Sequence, residues 1–323
     1  MSNGSGDRPI RVLVPDEQGV QAFAGAPGLL AIRYDARQEP TAEQQQATVM
    51  VTGFLDVEPE VAFMRALPHL KLLQTLNAGF DQWVGRLPPG VALSNARGAH
   101  GRSTAEWTAA VLLAHYRELT RFATAQGERR WDHHETASLA GKRVAILGAG
   151  DIGTTIQRML APFGCRLMLV GRRRRDEVVT MDDFRAAAAE QDVVVLVLPV
   201  TPETRGLVDA RFLNSMKDGA LLVNPGRGSL VVTGDLLKET QPGRLRAILD
   251  VTDPEPLPAN HPLWVSPGVT ITPHVGGNTE GALERAWAVA VQQIALFARG
   301  QAPANLVIVP PGWTSAAQAH ISA

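Results

Sequence analysis

Three polar residues lie in loops that directly follow short apolar runs, and their side chains are types that bind anions and move protons. Arg227 stands between two glycines in NPGRGS, Glu255 lies in the proline-rich DVTDPEPLP, and His274 lies in TPHVGG. The preceding runs predict buried strands, and open α/β sheets bind ligands at the carboxyl ends of their strands. We therefore expect the three side chains to converge on one crevice.

A glycine-rich turn predicts a dinucleotide beside that crevice. Gly148, Gly150 and Gly153 follow the apolar run KRVAIL and precede a helical pattern, which is the context this fingerprint requires. In that fingerprint the first glycine permits a tight turn, the second lets the backbone approach a pyrophosphate, and the third lets helix and strand pack closely. Backbone amides at the helix start, which includes Asp151 and Ile152, are expected to face the phosphates.

The next predicted strand, 166–170, ends in GRRRR and not in an acidic residue. Sites that prefer NAD place Asp or Glu there for the ribose hydroxyls, whereas guanidinium groups bind a 2′-phosphate with paired hydrogen bonds. We therefore predict NADP(H) in preference to NAD(H), with Arg172 and Arg173 as the main contacts. A solvated basic loop or a nucleic-acid patch is the alternative, and solvation alone can explain Arg174 or Arg175.

Strands alternate with helices along most of the chain, which favours parallel sheets. Apolar runs predict strands at 10–14, 48–52, 70–76, 142–147, 166–170, 193–198, 220–223, 246–249 and 269–271. Helical patterns cover 58–67, 152–163 and 280–298. Residues 104–122 are expected to form one long helix, with Ser103 as its N-cap and Glu106 completing a capping box.

Seven motifs in order make the chain similar to the D-isomer-specific 2-hydroxyacid dehydrogenases. They run from about Leu70 to the last helix and read NAGFDQ, STAE, GAGDIG, LPVTPETRGLV, NPGRGSLV, DVTDPEPLP and TPHVGGNT. The chain most resembles the NADP-using glyoxylate/hydroxypyruvate reductase branch. NPGRG replaces the commoner NTARG-like run, and Pro225 removes a backbone N–H there, so the loop's contacts to the nicotinamide are expected to differ.

The resemblance implies a role for each residue that matches. Arg227 corresponds to the arginine that grips the substrate carboxylate and carbonyl oxygen, His274 to the acid/base histidine, and Glu255 to the carboxylate that orients it. The resemblance also implies that His274 contacts the substrate. Ala78 and Gly79 correspond to the loop whose backbone N–H groups help to hold the substrate carboxylate.

Further cofactor contacts follow from the same resemblance. Positions that flank the nicotinamide, lie beneath its ring or border the pyrophosphate are matched by Thr104, Pro199, Thr201, Thr204, Asn224, Pro225, Gly226, Asp250 and Gly276. Leu55 follows an early predicted strand and is a further candidate for the substrate pocket.

The physical chemistry of these residue types agrees with the implied roles. Hydride addition to a ketone carbon leaves an alkoxide, and an imidazolium near neutral pH can protonate it. A carboxylate beside the ring stabilises the imidazolium and fixes its tautomer. A guanidinium binds a 2-oxo acid's carboxylate and polarises its carbonyl as charge develops.

The element order, together with the resemblance, predicts an α/β fold of two Rossmann-like domains with parallel sheets. Residues 99–282 are expected to form the NADP-binding Rossmann domain. That domain is inserted into a discontinuous, flavodoxin-like substrate-binding domain, made of residues 1–98 and 283–323. By analogy with the family, the protein is expected to be a homodimer.

Composition narrows the classes of protein further. The 323 residues carry a formal net charge of −1, which gives no global field for nucleic acid or an anionic membrane. One cysteine, Cys165, excludes internal disulfides and multi-cysteine metal sites. No apolar run reaches the roughly 18 residues of a membrane helix, and the N-terminus has no apolar signal-peptide core. We therefore expect a cytoplasmic protein without a metal, a nucleic-acid partner or a membrane partner.

The sequence thus predicts an oxidoreductase that transfers a hydride from NADPH to a small 2-oxo acid of the glyoxylate or hydroxypyruvate type. Two alternatives remain at this point. One is an oxidoreductase acting on another small oxyanion such as phosphite, and the other is a non-enzymatic nucleotide-sensing scaffold, because a fold does not fix a function.

Overall fold

The computed structural model describes residues 9–53, 57–311 and 313, and the chain divides into two units. The first unit combines the residues up to His100 with those from Glu280 onward, and the second unit runs from Gly101 to Thr279. Each unit has one sheet, and both sheets are built mainly of parallel strands. The predicted α/β fold class with two parallel sheets is therefore confirmed.

The strands are β1 (Ile10–Val14), β2 (Leu29–Arg33), β3 (Val49–Thr52), β4 (Leu72–Thr75), β5 (Ala92–Ser94), β6 (Arg143–Leu147), β7 (Arg166–Val170), β8 (Val178–Val179), β9 (Val193–Leu196), β10 (Leu221–Asn224), β11 (Arg246–Leu249), β12 (Val269–Ile271) and β13 (Leu306–Ile308). The helices are α1 (Glu17–Ala22), α2 (Val57–Arg65), α3 (Gly101–Tyr116), α4 (Leu119–Gly127), α5 (Asp151–Leu160), α6 (Met181–Ala187), α7 (Ala210–Ser215), α8 (Thr233–Thr240) and α9 (Ala282–Ala298).

The sheet of the first unit has the order β13-β5-β4-β3-β1-β2, and β13 alone is antiparallel to its neighbour. Without β13 this is the 2-1-3-4-5 order of flavodoxin-like folds. Helices cover both faces, so successive residues of one strand enter different cores. Val12 and Val14 of β1 pack in one core with Trp287 of α9, and Leu13 packs in the other with Trp83.

The sheet of the second unit has the order β12-β11-β10-β9-β6-β7-β8, and all its strands are parallel. Counted within the unit, this is the 3-2-1-4-5-6 order of the Rossmann fold with one further strand at the β12 edge. Ala145 and Leu147 of β6 face one core, and Val144 and Ile146 face the other. The strand order reverses between β6 and β9, and ligands of such sheets bind at that point.

The expected single helix over residues 104–122 is wrong in two respects. The helical segment begins at Gly101, so Ser103 is inside α3, and its hydroxyl pairs with Thr279 Oγ1 at 2.8 Å instead of capping the helix. The segment also breaks before α4, because Glu118 adopts a left-handed backbone conformation (φ 49°) that ends the regular hydrogen-bond ladder.

None of the helices within the described residues is long and apolar enough to cross a membrane.

Candidate active site

The loops that carry the three candidate catalytic residues leave adjacent strands of the second unit. β10, β11 and β12 are neighbours in the sheet, and their carboxyl ends lie at one edge because the strands are parallel. Arg227 follows the end of β10 by three residues, and His274 follows the end of β12 by three. Glu255 lies in the loop after β11. The common edge predicted from the sequence is therefore present.

His274 and Glu255 form a direct pair. His274 Nδ1 and Glu255 Oε1 are 2.6 Å apart, and the two side chains are 49% and 39% exposed. Partial burial disfavours the charge on Glu255, but the hydrogen bond and charge of His274 outweigh it, and Arg227 adds to the effect. The pKa of Glu255 is therefore held below its ordinary value, so this carboxylate stays ionised at neutral pH.

The backbone at His274 is held in an unusual conformation by Asp250, the residue that directly follows β11. His274 has φ 55°, a left-handed conformation that costs a non-glycine residue about 1–3 kcal/mol. The buried carboxylate of Asp250 accepts hydrogen bonds from Thr272 Oγ1 at 2.6 Å, Val275 N at 2.9 Å and Gly276 N at 2.8 Å. His274 N also donates to Asp250 O at 2.7 Å. Asp250 therefore fixes the loop that presents the imidazole, a function that the sequence did not reveal.

Asn224 fixes the loop that carries Arg227 in a similar way. Its fully buried side chain accepts from Gly226 N at 3.1 Å and donates from Nδ2 to Arg227 O at 2.8 Å. Arg227 is half-buried, and its Nη1 donates to Gly226 O at 2.8 Å. The chain makes this compact loop without the backbone N–H that Pro225 lacks.

The glycine-rich turn has the close packing that its fingerprint requires. Gly148 has φ 124°, and a Cβ on it would lie 2.4 Å from the carbonyl oxygen of Val197. A Cβ on Gly153 would lie 1.8 Å from the carbonyl oxygen of Gly148. Gly150 caps α5, whose first residues are Asp151 and Ile152. Side chains at Gly148 and Gly153 would block this turn, so its geometry requires these two glycines, whereas a Cβ on Gly150 would meet no atom within 4 Å.

The four arginines after β7 differ in what they contact. Arg174 Nη2 is 2.5 Å from Asp183 Oδ1, and Arg175 Nη2 donates to the carbonyl oxygen of Ala149 in the glycine-rich turn at 2.8 Å. Arg172 and Arg173 are exposed. The alternative that Arg175 is merely solvated is wrong, because its guanidinium joins the loop after β7 to the glycine-rich turn.

The remaining predicted cofactor contacts lie on the same unit. Thr204 Oγ1 donates to Pro199 O at 2.7 Å and accepts from Thr201 N at 2.8 Å, which closes the loop after β9. Thr104 is buried in the first turns of α3, and Gly276 is buried beside Asp250. No group of three or more His, Cys, Asp and Glu in the described ranges is arranged to hold a metal ion.

The substrate-loop candidates belong to the first unit. Ala78 and Gly79 follow β4 and are partly exposed. Leu55 lies outside the described residues.

Comparison with known proteins agrees with the motifs. The sequence model described as D-isomer specific 2-hydroxyacid dehydrogenase, NAD binding domain, matches residues 109–276. The glyoxylate reductase of Aeropyrum pernix is 32% identical over 259 residues, which are 74% of this chain and 77% of that protein.

Solved structures show the same fold over almost the whole chain. A D-isomer specific 2-hydroxyacid dehydrogenase from Xanthobacter autotrophicus, in complex with NADPH and MES, has a TM-score of 0.79 and 27% identity, and the match covers 93% of this chain and 98% of that one. The NADPH-dependent glyoxylate/hydroxypyruvate reductase of Sinorhizobium meliloti, in complex with NADP and sulfate, has a TM-score of 0.78 and 28% identity with the same coverage. The protein belongs to the D-isomer specific 2-hydroxyacid dehydrogenase family.

Proposed function

We propose that the protein is an NADPH-dependent reductase of a small 2-oxo acid of the glyoxylate or hydroxypyruvate type. The observation that carries this proposal is the 2.6 Å pair of His274 and Glu255, placed on the same sheet edge as the Arg227 loop. An acid/base pair beside an arginine is the set of groups that carbonyl reduction of an anionic substrate requires.

The residues of the second unit fit a bound dinucleotide. The closely packed turn at Gly148 and Gly153 leaves backbone in place of side chains at the start of α5, where phosphates bind. The loop after β7 offers guanidinium groups and begins Gly171-Arg172, with no carboxylate at that point. We infer that Arg172 and Arg173 hold the 2′-phosphate of NADP(H), and two structural relatives bound to NADP(H) support this inference.

Each of the three residues has a distinct part in the reaction. NADPH, when bound, supplies the hydride that reduces the carbonyl carbon. Arg227 binds the substrate carboxylate and polarises the carbonyl oxygen. Glu255 holds His274 through Nδ1, so Nε2 is the nitrogen that gives its proton to the developing alkoxide. The product is a 2-hydroxy acid, and His274 is left as a neutral imidazole with Nδ1–H bonded to Glu255.

We further propose that the two units divide the work. The second unit is the nucleotide-binding domain, and the first is the substrate-binding domain, in which the N–H groups of Ala78 and Gly79 bind the substrate carboxylate. Leu55 remains a proposed pocket residue.

A homodimer is also part of this proposal. The segment formed by α4 and the residues that follow it carries exposed apolar side chains, with Trp131 93% exposed and Leu119 55% exposed. Burial of such a surface by a second copy would stabilise the assembly. We also infer a cytoplasmic location, with which the free thiol of Cys165 is compatible.

The test is oxidation of NADPH and NADH by the purified protein, followed at 340 nm with glyoxylate, hydroxypyruvate, pyruvate and a phenyl-substituted 2-oxo acid. We expect turnover with NADPH, faster for glyoxylate and hydroxypyruvate than for the other two substrates. Binding of NADPH without turnover of any of the four would contradict the proposal and favour the scaffold alternative. Phosphite oxidation in a parallel assay tests the other alternative.

A further inference from the structure

The carbonyl of Ala78 is held by a side chain from another loop. Asn95 Nδ2 donates to Ala78 O at 2.6 Å. The peptide bond to Gly79 is trans, since the cis bonds among the described residues are confined to two X-Pro bonds near Glu255. In a planar trans peptide the N–H points away from the C=O. Asn95 therefore sets the direction of the Gly79 N–H from the opposite side of the peptide.

The preceding peptide is held in the same manner. Asn77 O accepts hydrogen bonds from Thr75 Oγ1 at 2.8 Å and from the backbone N–H of Ala96 at 2.9 Å. By the same geometry, these two donors set the direction of the Ala78 N–H.

The two N–H groups fixed in this way are available for a ligand. Within the described part of the chain, no hydrogen-bond acceptor meets the backbone N–H of Ala78 or Gly79. Both residues are partly exposed, so a small anion can reach them. Successive backbone N–H groups without protein acceptors are the usual construction of an anion-binding concavity.

Asn95 is itself fixed by a chain of buried amides. Its backbone N–H donates to Asn305 O at 3.1 Å, and Asn305 Nδ2 donates back to Asn95 O at 3.1 Å. Asn305 N donates to Oε1 of Gln293 in α9 at 2.9 Å. The side-chain Oδ1 of Asn95 accepts from Arg97 N at 3.1 Å, which leaves Nδ2 for Ala78. Asn95, Asn305 and Gln293 are all buried.

We propose that Asn95 is a positioning residue that aims the Gly79 N–H at the carboxylate of the substrate, with Thr75 as a weaker partner for the Ala78 N–H. The inference rests on the proposed function, because it assumes that the anion bound at this loop is the 2-oxo acid. Buried hydrogen bonds to the carbonyls keep the two N–H groups aligned before the substrate arrives, so little ordering is needed on binding.

The main variant is Asn95→Asp. It preserves the size of the side chain and the Oδ1 acceptor for Arg97 N, but it places an acceptor against Ala78 O. We expect KM for the 2-oxo acid and Kd for oxalate, a non-reducible dianion, to rise about tenfold or more, as expected for a lost buried hydrogen bond of about 1.4 kcal/mol. We expect kcat to change less than about threefold and KM for NADPH to stay at the wild-type value.

Two further variants test the rise in oxalate Kd: Thr75→Val should produce a smaller rise, and Gln191→Leu serves as the control. Thr75→Val removes one of two donors to Asn77 O at constant volume, so oxalate Kd should rise only about twofold to threefold. Gln191→Leu removes a buried amide in the second unit, where Nε2 donates to Ala187 O at 3.0 Å. This control should alter thermal stability without altering oxalate Kd.

Oxalate binding is measured by titration calorimetry of the NADPH-bound protein, and turnover is measured separately. If the wild type binds oxalate but reduces no 2-oxo acid, the proposed function is rejected. The Asn95 inference is then decided by comparing oxalate Kd in Asn95→Asp with that in the wild type. A folded Asn95→Asp protein with wild-type oxalate Kd would overturn the inference, as would a wild type that binds no oxalate. If Asn95→Asp does not fold, an unchanged Kd in Thr75→Val overturns it.

Discussion

The two units hold their candidate functional groups by different means. In the second unit, Asn224 fixes the loop of Arg227 from three residues away, and Asp250 fixes the loop of His274 from the neighbouring strand end. In the first unit, Asn95 holds the Ala78 carbonyl and is itself held by Asn305, 210 residues away in sequence. The contacts that fix these loops therefore join residues up to 26 positions apart in the second unit and 210 positions apart in the first.

Buried carboxyl groups show the same contrast. The carboxylate of Asp250 in the second unit accepts three hydrogen bonds. In the first unit, Glu60 Oε1 lies 2.9 Å from Tyr34 Oη and accepts from Gly53 N at 3.1 Å, but no described group hydrogen-bonds to Oε2. Burial, which these hydrogen bonds only partly offset, raises the pKa of Glu60 to about 7. One unit thus uses a buried carboxylate as a scaffold, whereas the other holds a buried carboxyl that titrates near neutrality.

The largest expected effect belongs to the second unit. His274→Ala removes the proposed proton donor and should lower kcat for reduction by roughly 10²–10⁴, the usual contribution of a general acid. Steady-state kinetics with saturating NADPH measure this effect. His133→Ala, an exposed histidine between α4 and β6, is the control and should retain wild-type kcat. Near-normal turnover in His274→Ala would show that His274 is not the general acid.

The next-largest effect is expected in the loop after β7, which carries Arg172 and Arg173. We propose that Arg172 and Arg173 bind the 2′-phosphate of NADPH, so replacing both by Gln should remove charge-assisted hydrogen bonds worth about 1.5–3 kcal/mol each. KM for NADPH should therefore rise at least about tenfold, whereas KM for NADH should change little. Arg174→Gln is the matched control, because Arg174 is paired with Asp183. An unchanged NADPH-to-NADH ratio in the double variant would show that these arginines do not select the cofactor.

A smaller effect, on stability, is expected in the first unit. Because the folded pKa of Glu60 is raised, its contribution to stability is fully present below about pH 4.5 and is lost as pH rises toward 7. The loss is on the order of 3 kcal/mol across that window. Thermal unfolding at pH 5 and pH 7.5 should show that Glu60→Gln has a smaller pH dependence than the wild type. An equal change of Tm between these two pH values in both proteins would contradict a raised pKa for Glu60.

The smallest expected effect on catalysis concerns Glu255. Its depressed pKa keeps it ionised, so it stabilises the protonated imidazole that reduction needs. In Glu255→Gln the maximal rate of reduction should drop about tenfold, because an uncharged amide stabilises the imidazolium less than a carboxylate does. In the wild type the same loss should appear only when the pH falls below the ordinary range of a glutamate, because the pKa of Glu255 is lowered. The pH profiles of kcat/KM measure both changes, and a wild-type maximal rate in Glu255→Gln would show that His274 does not depend on Glu255.

The sequence predicted the second unit more completely than the first. The apolar runs at β7, β11 and β12 match their strands at both ends, and in the first unit the run at β1 does so too. The strands β5 and β13 were not predicted. They pair with each other, Leu306 opposite Ser94, so their partners lie far apart in the chain and leave no local signal. The break at Glu118 was missed because its side-chain partners, Arg121 and His134, are set by the fold.

In the candidate site, the functional side chains could be predicted, whereas the contacts that position them could not. Arg227, Glu255 and His274 lie in short motifs after apolar runs, so their common edge followed from the sequence. The positioning contacts of Asp250 and Asn95 did not, because hydrogen bonds between distant loops leave no spacing signal.

The central proposal is that backbone N–H groups of the first unit help to bind the substrate, whereas His274 of the second unit donates the proton. The most direct test compares Asn95→Asp and His274→Ala with the wild type in one steady-state experiment with NADPH and the best 2-oxo acid. We predict that Asn95→Asp raises KM about tenfold with kcat within about threefold, and that His274→Ala lowers kcat by at least about 10². A loss of kcat of similar size in both variants would contradict this division between the units.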